Sequence, residues 1–192
     1  MKKIGITGGI GSGKTYVAAV FQSLGIPIFY ADIQSKKLMT SSEKLIKLLK
    51  EEFGNDIYKD SDLNKEKLAS IVFSNSNKLQ KLNSLVHPIV KEEFNNWCKK
   101  QTSPYVIKEA AILFESKSHL GLDAVICVSA PLELRMERLL KRDNSSEKEI
   151  KKRIENQISQ EEKEKRSDYI IVNDEKELLL PKIIKIHKEL LS

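Results

Sequence analysis

The sequence is poor in the features that mark disulfide-linked, zinc-bound or membrane-spanning proteins. It has two cysteines, Cys98 and Cys127, which lie far apart and form no Cys-x-x-Cys pair, and this argues against a disulfide framework and against a zinc site. No apolar run approaches the roughly 18 residues of a membrane-spanning helix. Met1-Lys2-Lys3 runs directly into a strand-like segment, without the apolar stretch of a signal peptide. These absences predict a cytoplasmic protein with free thiols and no membrane partner.

Aromatic residues are also scarce, whereas charge is plentiful. Aromatics make up 6% of the 192 residues, charged residues 31% and hydrophobic residues 40%. This composition is typical of one globular domain with room for an inserted subdomain, and it excludes a disordered chain. The net charge of +6 suits anionic ligands such as nucleotides, although a solvated lysine-rich surface is the alternative. The excess is too small and scattered to indicate a nucleic-acid partner.

Apolar segments alternate with helical patterns along the chain. This alternation predicts an α/β fold with a parallel five-stranded sheet flanked by helices. Residues 33–103 form a polar helical block, interpreted as an inserted lobe, in which Pro88 begins a helix and His87 marks a bend. Residues 135–166 are rich in Lys, Arg and Glu with few apolar anchors, which predicts an exposed helical arm. The strand candidates are residues 2–7, 26–30, 105–108, 124–129 and 168–172.

A glycine-rich segment follows the first strand candidate. Residues 8–15 read Gly-Gly-Ile-Gly-Ser-Gly-Lys-Thr, which fits the G-x-x-x-x-G-K-[ST] pattern of phosphate-binding P-loops. The glycines let backbone N–H groups turn toward a phosphate, and the following helix adds the positive end of its dipole. Lys14 would reach the β- and γ-phosphates, and the Thr15 hydroxyl would bind Mg²⁺. The predicted ATP-binding residues here are Gly9, Ile10, Gly11, Ser12, Gly13, Lys14, Thr15 and Tyr16.

Missing motifs narrow the class of nucleotide-binding protein. A regulatory GTPase would need D-x-x-G and N-K-x-D motifs, and neither occurs in the sequence. A nucleoside monophosphate kinase often carries Asp-Gly-Phe-Pro-Arg, whereas this chain has no Asp-Gly pair. A kinase for another small molecule is therefore favoured. A non-catalytic nucleotide-binding module and a basic RNA-associated protein are the alternatives.

Two carboxylates follow strand candidates. Asp32 comes just after residues 26–30, and Glu109 ends the strand that begins at residue 105. In a parallel sheet, strand ends near the phosphate loop face the ligand crevice. Asp32 could there accept a proton from an acceptor hydroxyl, or it could cap the helix that follows. Glu109 could hold a metal-bound water, or it could face solvent at the strand end.

Arginines are spaced along the charged arm. Arg135, Arg138 and Arg142 lie about one helical turn apart, and Arg153 and Arg166 follow. Guanidinium groups stabilise charge on a transferring phosphoryl group. The alternative is a solvated helix face with Glu partners. An arm that closes over ATP would give the arginines a role, because a kinase must exclude water from the transfer.

Several stretches together resemble bacterial dephospho-coenzyme A kinases. The resemblance spans the whole chain, and the combination of motifs is more selective than the P-loop alone. The sequence departs from the family pattern at Tyr30, where Asp is frequent, and at Ala111, where Pro is usual. The similar stretches are Ile4-Gly-Ile-Thr-Gly-Gly-Ile-Gly-Ser-Gly-Lys-Thr15, Ala31-Asp32, Leu82-Asn-Ser-Leu-Val-His-Pro88, Ala111-Ile-Leu-Phe-Glu115, Arg138-Leu-Leu-Lys-Arg-Asp143, Arg153 with Gln157, and Asp168-Tyr-Ile-Ile-Val-Asn173.

The resemblance implies a reaction and a division of the chain. The reaction is transfer of the ATP γ-phosphate to the ribose 3′-hydroxyl of dephospho-coenzyme A, the last step of coenzyme A synthesis, so the expected partners are ATP and dephospho-coenzyme A. The chain would be a single P-loop kinase domain with three parts. These are a nucleotide core at residues 1–32, 104–137 and 167–192, an acceptor-binding lobe at 33–103, and a lid at 138–166.

The resemblance also implies roles for individual residues. Asp32 would be the general base, and Lys14 and Arg142 would act on the phosphates. Asn173 would lie near the adenine. Mg²⁺ would bind Thr15, with Glu109 holding it through water. The candidate acceptor-binding residues are Asp32, His87, Phe114 and Glu115, and for His87 a structural role at the bend is the alternative.

Overall fold

The computed structural model describes residues 1–59, 62–73, 75–143 and 145–192. These residues form two compact units, one of residues 1–30 and 101–192 and one of residues 31–100. Within the described ranges, no helix is long and apolar enough to cross a membrane. In chain order the elements are β1 (Lys2–Thr7), α1 (Lys14–Ser23), β2 (Ile28–Tyr30), α2 (Ala31–Ser41), α3 (Glu43–Phe53), a 3₁₀ turn (Asn55–Ile57), β3 (Tyr58–Lys59), β4 (Asp62–Leu63), α4 (Lys65–Phe73), α5 (Ser76–Cys98), β5 (Tyr105–Glu109), β6 (Ala124–Ser129), α6 (Leu132–Arg142), α7 (Glu147–Glu155), α8 (Gln160–Lys165), β7 (Tyr169–Val172) and α9 (Leu179–Leu191).

The first unit is built on a five-stranded sheet, which confirms the predicted fold class. Its strand order is β2-β5-β1-β6-β7, and all four pairings are parallel. β1 is central, with Ile6 opposite both Glu109 and Ile126. The inner strands β5, β1 and β6 are largely buried, as expected where helices cover both faces of a sheet, whereas the edge strand β7 exposes Ile170 and Val172. Since parallel strands end at the same edge, the segments after β1, β5, β6 and β7 meet there.

The C-terminal helix is part of the core of the first unit. α9 packs against α1 and β7 and buries Ile183, Ile186 and Leu190 in the cluster that surrounds the sheet. Its His187 Nδ1 lies 2.7 Å from the Tyr105 hydroxyl.

The second unit is helical apart from the β3–β4 pair. Its α5 runs unbroken from Ser76 to Cys98, so the predictions that Pro88 begins a helix and that His87 marks a bend are wrong. Pro88 lies on the exposed side of α5. Burial of four apolar side chains, at about 1.5–3 kcal/mol each, outweighs the roughly 3 kcal/mol that an interior proline costs. Those side chains are Val86, Ile89, Val90 and Phe94.

The charged segment of residues 135–166 is not the wholly exposed arm that its composition predicts. It forms α6, α7 and α8, and α7 begins with a capping box in which Ser146 and Glu149 each bond the other's backbone. α7 packs against α6. Partners that lie far away in the sequence bury two of its cations, and composition cannot reveal such partners. The buried side chains are Arg135, Leu139, Ile150 and Lys163.

Candidate active site

The P-loop connects β1 to α1 at the carboxyl edge of the sheet. α1 begins at Lys14, and N–H groups in the first turn of a helix have no intrahelical acceptor, which suits them to an anion. The Lys14 ammonium lies 4.0 Å from the Glu109 carboxylate, and these side chains are 12% and 6% exposed. The alternative prediction, that Glu109 faces solvent at the end of its strand, is therefore wrong. Among the described residues, the buried hydroxyls of Thr7 and Ser12 have no hydrogen-bond partner, as expected of groups at a ligand site.

Two glycines of the loop are enclosed by side chains. A Cβ at Gly9 would collide with the guanidinium of Arg135, and one at Gly13 would collide with the amide of Asn173. Gly13 also has φ 88°, in the left-handed region that disfavours side chains. Glycine is therefore required here by packing as well as by access to a phosphate.

Two arginines of α6 bind carbonyl groups of the loop. Arg135 Nε donates to Ile10 O at 2.9 Å, and Arg135 is buried, with 5% of its surface exposed. Arg138 Nη1 donates to Gly11 O at 3.4 Å, and its Nη2 bonds Glu175 at 2.8 Å. Burial lowers the pKa of the Arg135 guanidinium, which an arginine tolerates without losing its proton. For Arg135 the solvated-face alternative is wrong.

Asn173 also lies at the loop. Its Nδ2 donates to Ser12 O at 2.9 Å, and its side-chain oxygen accepts from Arg138 at 3.3 Å. These contacts place the residue beside the glycine-rich turn. Its predicted position near the adenine stays a prediction.

Arg142 is exposed and makes a bidentate ion pair with its neighbour. Its Nε and Nη2 donate to the two Asp143 oxygens at 2.8 and 3.1 Å. Arg153 donates to the same carboxylate at 2.7 Å. The hydrogen bonds from both guanidinium groups hold the pKa of Asp143 well below its ordinary value. The role of Arg142 at the phosphates stays a prediction.

Glu115 has partners that the sequence did not indicate. Its Oε1 accepts from Lys163 Nζ at 2.7 Å and from Ile158 N at 3.1 Å. Lys163 is completely buried and also donates to Ala111 O at 2.9 Å. Phe114 is buried, with its ring 5.0 Å from that of His119. Acceptor binding by Phe114 and Glu115 stays a prediction.

The remaining candidates, Asp32 and His87, belong to the second unit. α2 begins at Ala31, so Asp32 lies inside its first turn and the N-cap alternative is wrong. The positive end of the helix dipole stabilises an ionised carboxylate at that position. Asp32 is exposed, and His87 is half-buried within α5. Acceptor binding by these two residues stays a prediction.

Two glutamines at the P-loop were missed by the sequence reasoning. Gln160 Oε1 accepts from Gly9 N, and Gln157 Oε1 accepts from Ile10 N, both at 3.0 Å. The only sequence signal is that Gln157 belongs, with Arg153, to one of the stretches that resemble the kinase family.

Comparison with known proteins identifies the family. The dephospho-CoA kinase family model matches residues 2–178. The chain belongs to the dephospho-CoA kinase family. A dephospho-CoA kinase from Bacteroides fragilis is 40% identical over 185 residues, which cover 96% of this chain and 90% of the relative. The predicted resemblance is thereby confirmed.

Solved structures agree with this assignment. A dephospho-CoA kinase from Campylobacter jejuni superposes with a TM-score of 0.68 at 26% identity, over 98% of this chain and 97% of that one. A Thermus thermophilus protein superposes with a TM-score of 0.81 at 32% identity, over 99% and 96% of the two chains. Membership of the dephospho-CoA kinase family makes the chain an ATP-dependent kinase, as predicted.

Dephospho-CoA kinases, like other kinases, generally use a divalent cation together with ATP, and the residues at the loop are suited to hold such a cation. The Thr15 hydroxyl and the Glu109 carboxylate supply oxygen atoms, the ligands that Mg²⁺ prefers. In the described parts of the chain, no group of three or more His, Cys, Asp or Glu could hold a metal ion. Mg²⁺ at a kinase site does not need such a group, because phosphate oxygens and waters complete its coordination.

Proposed function

We propose that this chain transfers the γ-phosphate of ATP to the ribose 3′-hydroxyl of dephospho-coenzyme A, giving coenzyme A and ADP. The proposal is carried by a P-loop at the carboxyl edge of a parallel sheet in a member of the dephospho-CoA kinase family. The 3′-oxygen forms a bond to the γ-phosphorus while the bond to the β–γ bridging oxygen breaks. The hydroxyl proton leaves with a general base.

The core residues would promote phosphoryl transfer by positioning ATP and by offsetting the charge of its phosphates. Lys14 and the loop N–H groups hold the β- and γ-phosphates. Thr15 would hold Mg²⁺ directly and Glu109 would hold it through water. The metal supplies positive charge that offsets the charge of the phosphates. Burial of Glu109 beside Lys14 supports this assignment, because both charges act in a site with little solvent.

Asp32 is proposed as the general base that accepts the 3′-hydroxyl proton. It is exposed, and along the chain it is the second residue after the end of β2. Arg142 would exchange its partner Asp143 for the phosphates when the lid closes. His87, Phe114 and Glu115 are proposed to contact the acceptor, and Asn173 to lie near the adenine.

The three-part division into core, acceptor lobe and lid is also part of the proposal. The separate compact unit of residues 31–100 supports the acceptor lobe, whereas the lid of residues 138–166 falls inside the unit of residues 1–30 and 101–192 and stays a prediction. A cytoplasmic location and the absence of nucleic-acid and membrane partners stay predictions of the sequence.

The test is release of ADP from Mg-ATP by the purified protein. Dephospho-coenzyme A, AMP, shikimate and a blank without acceptor would be compared. Release only with dephospho-coenzyme A, and coenzyme A as the product, would support the proposal. Turnover on another acceptor would retain a kinase and refute the substrate. ATP binding with no turnover on any acceptor would refute the enzyme and favour a binding module.

A pair of variants tests the general base. Asp32→Asn should lower kcat by about 10²–10⁴-fold and leave the KM for ATP near that of the wild type, because only proton transfer is lost. Asp56→Asn is the matched control, since Asp56 is an exposed aspartate of the same unit that pairs with Lys67. Near-full turnover by Asp32→Asn would refute the base assignment.

A further inference from the structure

A short segment at the start of α8 is bonded to the first half of the P-loop. Gln157 and Gln160 accept hydrogen bonds from the backbone N–H groups of Ile10 and Gly9, each at 3.0 Å. Both glutamines are half-buried. These bonds give the loop two fixed points ahead of α1. In this arrangement the N–H groups of Gly9 and Ile10 face the glutamines, which leaves the N–H groups from Gly11 onward for a phosphate. The ATP-binding roles of Gly9 and Ile10 stay predictions.

The second glutamine belongs to a longer chain of hydrogen bonds. Gln160 Nε2 donates to Glu164 Oε1 at 3.1 Å, and the same oxygen accepts from Ser129 Oγ at 2.5 Å. A carboxylate can only accept and a backbone N–H can only donate, so the Gln160 amide has one allowed orientation between them. The Gly9 N–H is thereby connected through two side chains to the end of β6.

α8 itself is fixed to the core. Lys163 is completely buried, and its ammonium donates to Glu115 and to Ala111 O. Glu115 also accepts from Ile158 N, between the two glutamines, at 3.1 Å. Glu115 therefore holds the segment at two points, at Ile158 between the glutamines and at Lys163 one turn after them. We call Gln157, Gln160 and Glu164 the loop brace.

We propose that Gln157 and Gln160 are positioning residues for phosphoryl transfer, which hold Gly9 and Ile10 so that the P-loop keeps its binding shape before ATP arrives. The kinetic part of this inference rests on the proposed function.

The physical reason is the cost of ordering the loop. Without the loop brace, the glycine-rich backbone would sample many conformations in the free enzyme. ATP would then have to select one of them, and the loss of conformational entropy would weaken its binding. A preformed loop avoids this loss. The acceptor is bound by other residues, so its KM is not expected to change.

Kinetics give the first test. Gln157→Met and Gln160→Met, which keep side-chain length but remove the acceptor oxygen, should each raise the KM for ATP about tenfold, with the KM for dephospho-coenzyme A unchanged. The matched control is Gln22→Met, because Gln22 is an exposed glutamine whose side-chain oxygen accepts from the Tyr30 hydroxyl at 3.1 Å and touches no part of the loop brace. An unchanged KM for ATP in both brace variants, or an equal rise for both substrates, would overturn the proposal.

Amide hydrogen exchange of the nucleotide-free protein gives a test that needs no substrate. Gln160→Met should speed exchange at Gly9 and not at Ile10, and Gln157→Met should do the reverse. The double variant Gln160→Glu with Glu164→Gln exchanges the carboxylate and the amide and keeps an acceptor oxygen for the Gly9 N–H. Its Gly9 amide should therefore exchange as slowly as in the wild type and more slowly than in Gln160→Met. Exchange at wild-type rates in both single variants would overturn the brace. Inactivity of the wild type on dephospho-coenzyme A would refute the proposed function and leave this result standing.

Discussion

Replacement of Lys163 by methionine is expected to lower the free energy of unfolding by about 3 kcal/mol. The Lys163 ammonium is completely buried, and it binds Glu115 Oε1 at 2.7 Å and Ala111 O at 2.9 Å. Methionine fills a similar volume but leaves the carboxylate without its cation. Removal of one partner of a buried pair costs about 3–5 kcal/mol, and the side chain of Glu115 is 18% exposed, which favours the lower end.

Thermal and urea unfolding, followed by circular dichroism, measure this loss. For a chain of this size, about 3 kcal/mol corresponds to a fall in Tm of roughly 6–12 °C. The control is Lys151→Met, because Lys151 forms an exposed pair with Glu147 one helical turn away, and an exposed pair contributes little to stability. Glu115→Met added to Lys163→Met should recover most of the loss, since no buried charge then lacks a partner.

The reasoning fails under two results. One is a Lys163→Met protein that unfolds within about 1 kcal/mol of the wild type, which would mean that the ion pair contributes as little as a surface pair. The other is a double variant less stable than Lys163→Met alone, which would mean that packing, and not the unpaired carboxylate, sets the cost.

Three further outcomes are expected. Gly13→Ala should lower Tm by several degrees, because the left-handed backbone costs an alanine about 1–2 kcal/mol and the added methyl group displaces Asn173 from Ser12 O. An unchanged Tm would contradict this packing. Burial raises the pKa of the Cys127 thiol to about 11, so a thiol reagent at mildly alkaline pH should label it only in denaturant, and rapid labelling of the native protein would refute this. The lowered pKa of Asp143 means that its contribution to stability is present at neutral pH and is lost only as pH falls through that pKa, below the ordinary 3.8. An NMR titration of its carboxyl should show this, and a midpoint at the ordinary value would count against the ion pairs.

The sheet and the phosphate loop were predictable because their signals are local. Each buried strand is a short apolar run, and the P-loop is a contiguous pattern whose glycines are required by its own turn. The carboxylate at the end of β5 was predictable for a related reason. Its position follows from where the strand stops, although its burial beside Lys14 does not.

Other features depend on partners that lie far apart in the sequence. Lys163 reads as a surface residue among many lysines, and only the fold brings Glu115, 48 residues earlier, to it. Arg135 is similar, since its acceptor, Ile10 O, is 125 residues away. The bend predicted at His87 failed for a different reason. The rule for residues before proline is local, whereas burial along one face of α5 decides the outcome.

The position of α9 has a consequence for folding during synthesis. Its side chains Ile183, Ile186 and Leu190 complete the cluster in which α1 buries Val17 and Phe21. Because synthesis runs from β1 toward α9, the phosphate loop and α1 are made well before the helix that covers α1. Until that helix emerges, an apolar surface near the start of the chain stays open to water and to chaperones. Emergence of α9, rather than synthesis of the loop, should therefore set the moment at which the chain first becomes able to hold a nucleotide.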